Sequence, residues 1–167
     1  MSLLKKIISW FIPEQKQAKQ QTGTNVTKAS SDTHIKVIYG TRKTEGTIVF
    51  MNTTNPDDDD DVKNDLLHVI IVWCEGGVES IDDILLNDIS ITDSKFTAKD
   101  GGRWAYAYNF TNGMAGLSSP HLKAAGWDGA AKDHRLDGLA CTYLRLEWSI
   151  GDNAPFTGIP DATAIIK

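Results

Sequence analysis

A chain of 167 residues has room for one domain with a real core and little more, so one domain plus an appendage is the expectation. Its 41% hydrophobic and 23% charged residues are those of an ordinary globular protein, which excludes wholesale disorder. A net charge of −5 leaves no large cationic face, so nucleic acid is not expected as a partner.

Residues 3 to 12 place Leu3, Leu4, Ile7, Ile8 and Phe11 on one side and Lys5, Lys6 and Ser9 on the other. This spacing predicts a short amphipathic helix over residues 1–13, stopped at Pro13. So short a helix needs a surface to cover, and docking of Leu4, Ile7, Ile8 and Phe11 on a partner subunit or on the chain's own domain is preferred to a membrane. The lysines precede too short an apolar stretch for a signal peptide, and no run in the chain approaches the roughly 20 residues that span a bilayer. Residues 14–32 turn to Gln, Lys, Thr, Ser and Asn and read as a flexible polar linker.

From residue 33 onward short apolar runs alternate with polar punctuation, which predicts a mainly β domain, a sandwich or barrel-like fold with minor α. HIKVIYG and GTIVFM, separated by TRKTE, are expected to form a hairpin. LLHVIIVWC is almost continuously apolar and predicts a strand covered on both faces, broken at Glu75-Gly76-Gly77. VESIDDILLND is open between a helical turn and a short strand, and Asn87-Asp88 ends it with a turn. Between Ser90 and Gly138 the chain is rich in Gly, Ala, Asn, Asp and Ser, so long loops are expected, with WAYAYNF as the strand candidate. A long loop inside a compact domain, here over residues 95 to 130, is expected to be functional or involved in contacts. LACTYLRLEWSI is a further strand, with Leu139, Cys141, Tyr143 and Arg145 on one face. GDNAPFTGIPD turns the chain, and ATAIIK begins a last strand, an ending that suggests a truncated product.

Catalytic, cofactor and metal sites are not expected. The run Asp57 to Asp61 lacks the alternating ligands, glycine and distal glutamate of a calcium loop and reads as a solvated hairpin loop. His68 lies inside an apolar strand and reads as a hydrogen-bonded core residue, while His34, His121 and His134 are scattered. Cys74 and Cys141 sit in apolar runs and read as buried thiols, a disulfide between them being the alternative. Asp82 and Asp83, adjacent on a strand, are expected to point to opposite faces. No activated nucleophile is visible, which leaves a hydrolase built on His121 and His134 as the least favoured reading.

Three segments in order resemble the amino-terminal region of phage tail-tip proteins of the host-specificity J type. The first is VIYGTRKTEGTIVF, carried by Tyr39, Gly40 and Gly46. The second is DLLHVIIVWCEGGVESIDDILLNDISI, with Leu66, Leu67, Val69, Ile70, Glu75, Gly76, Val78, Glu79, Ile84, Leu86, Asn87 and Asp88 at the matching positions. The third is HRLDGLACTYLRLEWSIGDNAPFTGIPDATAIIK, carried by Leu136, Gly138, Ala140, Tyr143, Arg145, Leu146, Phe156, Gly158, Pro160 and Ala164. A Cys-Thr pair displaces the tyrosine after Ala140, and the Gly/Ala-rich middle matches little. The resemblance implies a non-enzymatic virion structural protein at the tail tip, held in the host cytoplasm before assembly. It implies partners among other phage tail proteins, namely the distal tail ring and tail-tip assembly subunits, and a homotrimer of the full-length protein, with receptor recognition encoded further along. The alternative is a carbohydrate- or peptide-binding β-sandwich module using Trp104, Tyr106 and Tyr108.

Overall fold

The computed structural model describes residues 34–55, 66–97, 102–115, 117, 119–128, 134–147, 155–156 and 158–167. The predicted amino-terminal helix with Leu4, Ile7, Ile8 and Phe11, the linker and the Asp57–Asp61 run lie outside them.

The domain is mainly β, as the sequence predicts, and consists of two four-stranded antiparallel sheets. The eight strands among the described residues are β1 (Arg42–Glu45), β2 (Thr47–Thr54), β3 (Leu66–Glu75), β4 (Ile81–Leu86), β5 (Ile89–Ser90), β6 (Ala105–Phe110), β7 (Leu139–Glu147) and β8 (Ala162–Ile166). One sheet has the order β2-β3-β7-β6, the other β1-β8-β4-β5. A single helical turn of the 3₁₀ type, Ser94–Phe96, and one short helix, α1 (Pro120–Ala124), complete the regular structure. Ser119 caps α1 by accepting from Leu122 N, and Pro120 occupies the first helical position, where its missing N–H costs nothing.

The alternation of side chains along the strands builds two cores. Leu67, Val69, Ile71 and Trp73 of β3, with Leu144 and Leu146 of β7, meet Ile84 and Leu86 of β4 and Ala162, Ala164 and Ile166 of β8 between the sheets. The small residues on β8 let the sheets approach closely. On the other face of the first sheet, Ile70, Val72, Cys141 and Tyr143 pack under Met114 and Leu122, with Phe50, Phe110 and Trp127 at the margin. That second core is covered by the segment around α1, so the molecule has three layers: sheet, sheet and loop. β3, sandwiched in the middle layer, is buried at every position from Leu66 to Cys74, which is why its sequence is apolar without alternation. Each of its large apolar side chains contributes about 1.5–3 kcal/mol.

A polar chain crosses the first core. Trp73 Nε1 donates to Thr142 Oγ1 (2.7 Å), Thr142 Oγ1 donates to Asn109 Oδ1 (2.8 Å), and Asn109 Nδ2 donates to Ile81 O (3.4 Å), linking β3, β7 and β6 to β4. Trp73→Phe keeps most of the ring volume but removes the first donor from a fully buried hydroxyl, so a loss of about 2 kcal/mol is expected. Urea titration measures it; a change below about 0.5 kcal/mol, the scale of an ordinary surface substitution, would show that the chain is ornamental.

The expected hairpin between HIKVIYG and GTIVFM does not form. The first run forms no strand among the described residues: Val37 makes a parallel bridge to Glu75, Lys36 O accepts from Glu75 N, and TRKTE, read as the loop, supplies β1. β1 pairs with β8 in one sheet and β2 pairs with β3 in the other, so the chain changes sheet at Gly46. The physical reason is the apolar β8, which needs a partner on each edge, and Thr44 turns inward on β1 while Arg42, Lys43 and Glu45 stay exposed. VESIDDILLND, open in the sequence between helix and strand, provides the six-residue β4.

Candidate functional site

The residues carrying the three-segment resemblance are mostly turn positions, and the fold brings several of them together. Glu75-Gly76 ends β3 with Gly76 at φ +89°, and Gly76 N donates to the carbonyl of Gly138, itself at φ +80° ahead of β7 (2.8 Å). Asn87 and Asp88, at φ +50° and +65°, form a two-residue turn between β4 and β5 of the kind that matches strand twist. Asn87 N donates to Asp161 O (2.8 Å) and Asn87 Oδ1 accepts from Asp161 N (3.0 Å), which locks this turn beside the buried Pro160. Lys43 Nζ reaches Asp88 Oδ1 at 2.6 Å, a largely exposed ion pair of small energetic weight. Gly40 adopts φ +67° next to Tyr39, which is 84% exposed. Gly158 has neither a positive φ nor a neighbour within 4 Å of an added Cβ, so nothing in its surroundings demands glycine. Gly113, which lies outside the three resembling segments, does need it: φ is +93° and a Cβ would lie 2.8 Å from Asp137 Cα. No local signal in the glycine-rich middle distinguishes it.

Burial governs the titratable groups of the interior. His68 is fully buried, with Nε2 at 2.8 Å from Thr54 Oγ1 and Nδ1 at 2.8 Å from Tyr143 OH, the hydrogen-bonded core residue the sequence suggests. Burial first, then the charges of His121 and Arg145, bring its pKa down to about 4, so the ring is neutral at pH 7. Burial pushes the Tyr143 phenol up to about 12 and the Cys141 thiol up to about 12, and raises Cys74 as well. Both cysteines are free and buried. His134 stacks on Trp127 (4.7 Å between centroids) and accepts from Asp128 N, serving the loop layer rather than meeting His121 in a dyad. Among the described residues no three His, Cys, Asp or Glu side chains converge on a metal position.

The aromatics of WAYAYNF do form a strand, β6, but not a shared platform. Trp104 packs against the inter-sheet core. Tyr106 lies under the Arg145 guanidinium at 4.2 Å, and Tyr108 stacks on Tyr143 at 5.4 Å, both on the loop-covered face. Each contact occupies one face of its ring, and Tyr108 remains 43% exposed.

Beside β6 lies the groove that makes the best candidate site. It has a volume of about 340 Å³ and is walled on one side by five consecutive residues, Ala105 to Asn109, and on the other by Asp82, Asp83 and Ile84 of β4, with Ile91, Thr92 and Arg103 closing it. Asp82 and Asp83 were expected on opposite faces, yet both line the groove. The reason is a bulge: β4 pairs Ile81 with Ile166 and Asp83 with Ile165, leaving Asp82 as the extra residue that resets the alternation. The Arg103 guanidinium donates to the carbonyl of Ile91 and Ser90 Oγ donates to Asp83 Oδ1 (2.9 Å), so the end of the groove is tethered.

The sequence matches no family model and no curated protein. The fold is similar to that of a chain in the "Virion of native gene transfer agent (GTA) particle", with a TM-score of 0.50 at 17% identity. The two-sheet fold occurs in a virion. The likeness covers 83% of this chain and 27% of that one, so this chain spans about a quarter of the length of its structural neighbour. At that identity the likeness is one of fold, and it extends well beyond the three resembling segments into the glycine-rich middle.

Proposed function

We propose that this chain is a virion structural protein, the amino-terminal assembly segment of a phage tail-tip protein of the host-specificity type. The observation that carries the reading is a conjunction. Three ordered segments resemble that family, and the fold they build is similar to a chain of a gene transfer agent virion over 83% of the chain. The turns are consistent with it: Gly76 bonded to Gly138 ties the ends of β3 and β7 in one sheet, and Asn87 bonded to Asp161 ties the end of β4 to the start of β8 in the other.

In this reading the role is scaffolding and not catalysis. The segment joins other tail proteins, the distal tail ring and tail-tip subunits, within a trimeric hub, and host recognition resides elsewhere in the assembly. It occupies the host cytoplasm before assembly and the tail tip afterwards. The glycan-binding alternative loses support because Trp104 packs against the inter-sheet core and Arg145 covers Tyr106, which leaves Tyr108 exposed without a shared platform.

Antibody raised against the 167-residue chain is expected to label one end of tailed particles purified from the source strain, and the polypeptide is expected in their proteome. Particles with complete tails that lack the polypeptide would refute the proposal.

A further inference from the structure

The four outer edges of the two sheets are not alike. In the β1-β8-β4-β5 sheet one edge, β1, carries Arg42, Lys43 and Glu45, and the other, β5, is two residues long. Charge and brevity are the usual means of keeping an edge from pairing with another chain. In the other sheet, β6 is six residues, AYAYNF, with neither charge nor proline, and no strand pairs with its outer side among the described residues. The β2 edge is uncharged too, but a bulge between Ile48 and Phe50 interrupts it, and Asn52 Oδ1 accepts from Thr53 N. β6 is therefore the edge best suited to receive a strand.

The groove beside it says what kind of strand. All five residues from Ala105 to Asn109 line it, as happens when the main-chain edge itself is the wall. Glu147 N donates to Trp104 O (2.8 Å), which sets the ladder phase so that alternate residues, Ala105, Ala107 and Asn109, turn their N–H and C=O groups toward the groove. The facing wall is acidic: Asp82 is exposed and has no ionic partner among the described residues, and Asp83 stands beside it. Arg103 is the single cation in the lining among the described residues, and its guanidinium is engaged with the Ile91 carbonyl. The volume of about 340 Å³ leaves space for side chains along that wall.

We propose that β6 is a docking edge for one extended strand of another protein, added antiparallel or parallel to the β2-β3-β7-β6 sheet, with basic side chains of that strand lying against Asp82 and Asp83. Main-chain hydrogen bonds to Ala107 and Asn109 provide affinity and the two carboxylates provide selectivity. A second copy of this chain is disfavoured as occupant: its β2 edge, TIVFMNTT, brings no cation to the acidic wall, and on its β1 edge Lys43 is already paired with Asp88 while Glu45 would be repelled. The inference does not depend on the virion reading, since it rests on edge chemistry alone.

The experiment uses the full chain and a fluorescent seven-residue peptide alternating lysine and valine between terminal threonines, read by anisotropy, with amide hydrogen exchange as the second readout. Saturable binding is expected, together with slowed exchange at Ala107 and Asn109. Asp82→Lys, at an exposed bulge position that tolerates substitution, is expected to weaken it about tenfold, as is a glutamate-for-lysine peptide. N-methylation of alternate peptide amides is expected to abolish it. Binding indifferent to N-methylation, absence of binding at millimolar peptide, or self-association of the chain that protects the same amides would each overturn the proposal.

Discussion

Gly46→Ala is expected to destabilise the domain by about 3 kcal/mol, the upper end of the cost of forcing one methyl into a filled core. An added Cβ would lie 2.2 Å from Ile71 Cγ2 and 2.6 Å from Trp73 Cε3. Neither neighbour can yield cheaply, because both are 1% exposed in the inter-sheet core and the Ile71 methyl sits on a β-branched, rotationally stiff side chain. Ile71→Ala removes the offending methyl, so the double variant Gly46→Ala/Ile71→Ala should be more stable than the sum of the single effects predicts, the signature of a shared steric cause. Gly158→Ala, with open space around the new methyl and no positive φ, is the control and should change stability by less than about 0.5 kcal/mol. Equal effects at Gly46 and Gly158 in urea titrations would show that the crossing between sheets does not depend on backbone approach.

Gly46 also shows what a sequence reveals of this fold and what it hides. The residue was legible as special, but its apparent place was the far end of a hairpin loop. In the fold it lets the chain pass from the β8 edge to the β3 edge against a packed Ile71 and Trp73. Proximity in sequence favours the hairpin; the competing attraction is the apolar strand Ala162–Ile166, over 100 residues away, whose need for two neighbours leaves no local trace. β3 was legible for the opposite reason, since burial on both faces writes itself as an unbroken apolar run. The Asn87-Asp88 turn was legible because its chemistry is local. The groove was not. Its walls are the edges of two strands in different sheets, and the bulge at Asp82 that turns two adjacent carboxylates to one side appears only when β4 is paired with β8. The β6 aromatics were legible as a strand, while their engagement by Arg145 and Tyr143 depends on the β6–β7 register.

Acid is expected to weaken the loop layer through His68. Its ring nitrogens lie between Thr54 on β2 and Tyr143 on β7, beneath the segment that carries Ser119 and His121, with Arg145 the nearby strand cation. The folded pKa, about 4, lies below the ordinary value of 6.5, so the folded state prefers the neutral ring. The resulting stability is fully present above pH 6.5 and is lost as the pH falls from 6.5 toward 4, a total of about 3 kcal/mol from about two and a half pH units. Carboxylates titrate in part of the same window, so the contribution is isolated by comparison with His68→Gln, which keeps a donor and an acceptor but does not ionise. The gap in unfolding free energy between wild type and His68→Gln is expected to shrink, or to reverse in favour of the variant, by about 3 kcal/mol between pH 7 and pH 4. Amide exchange should locate the loosening at Leu122 and Ala125, which lie over this face of the sheet and are tied to it through Asn52 Nδ2 and Ala125 O (2.7 Å), before it appears at Ile84 or Ala164 in the inter-sheet core. Parallel pH profiles for the two proteins would mean that the buried imidazole is not what couples the loop layer to proton concentration. A selective loss at α1 would establish that the outer layer can open while the two sheets, and the β6 edge of one of them, remain assembled.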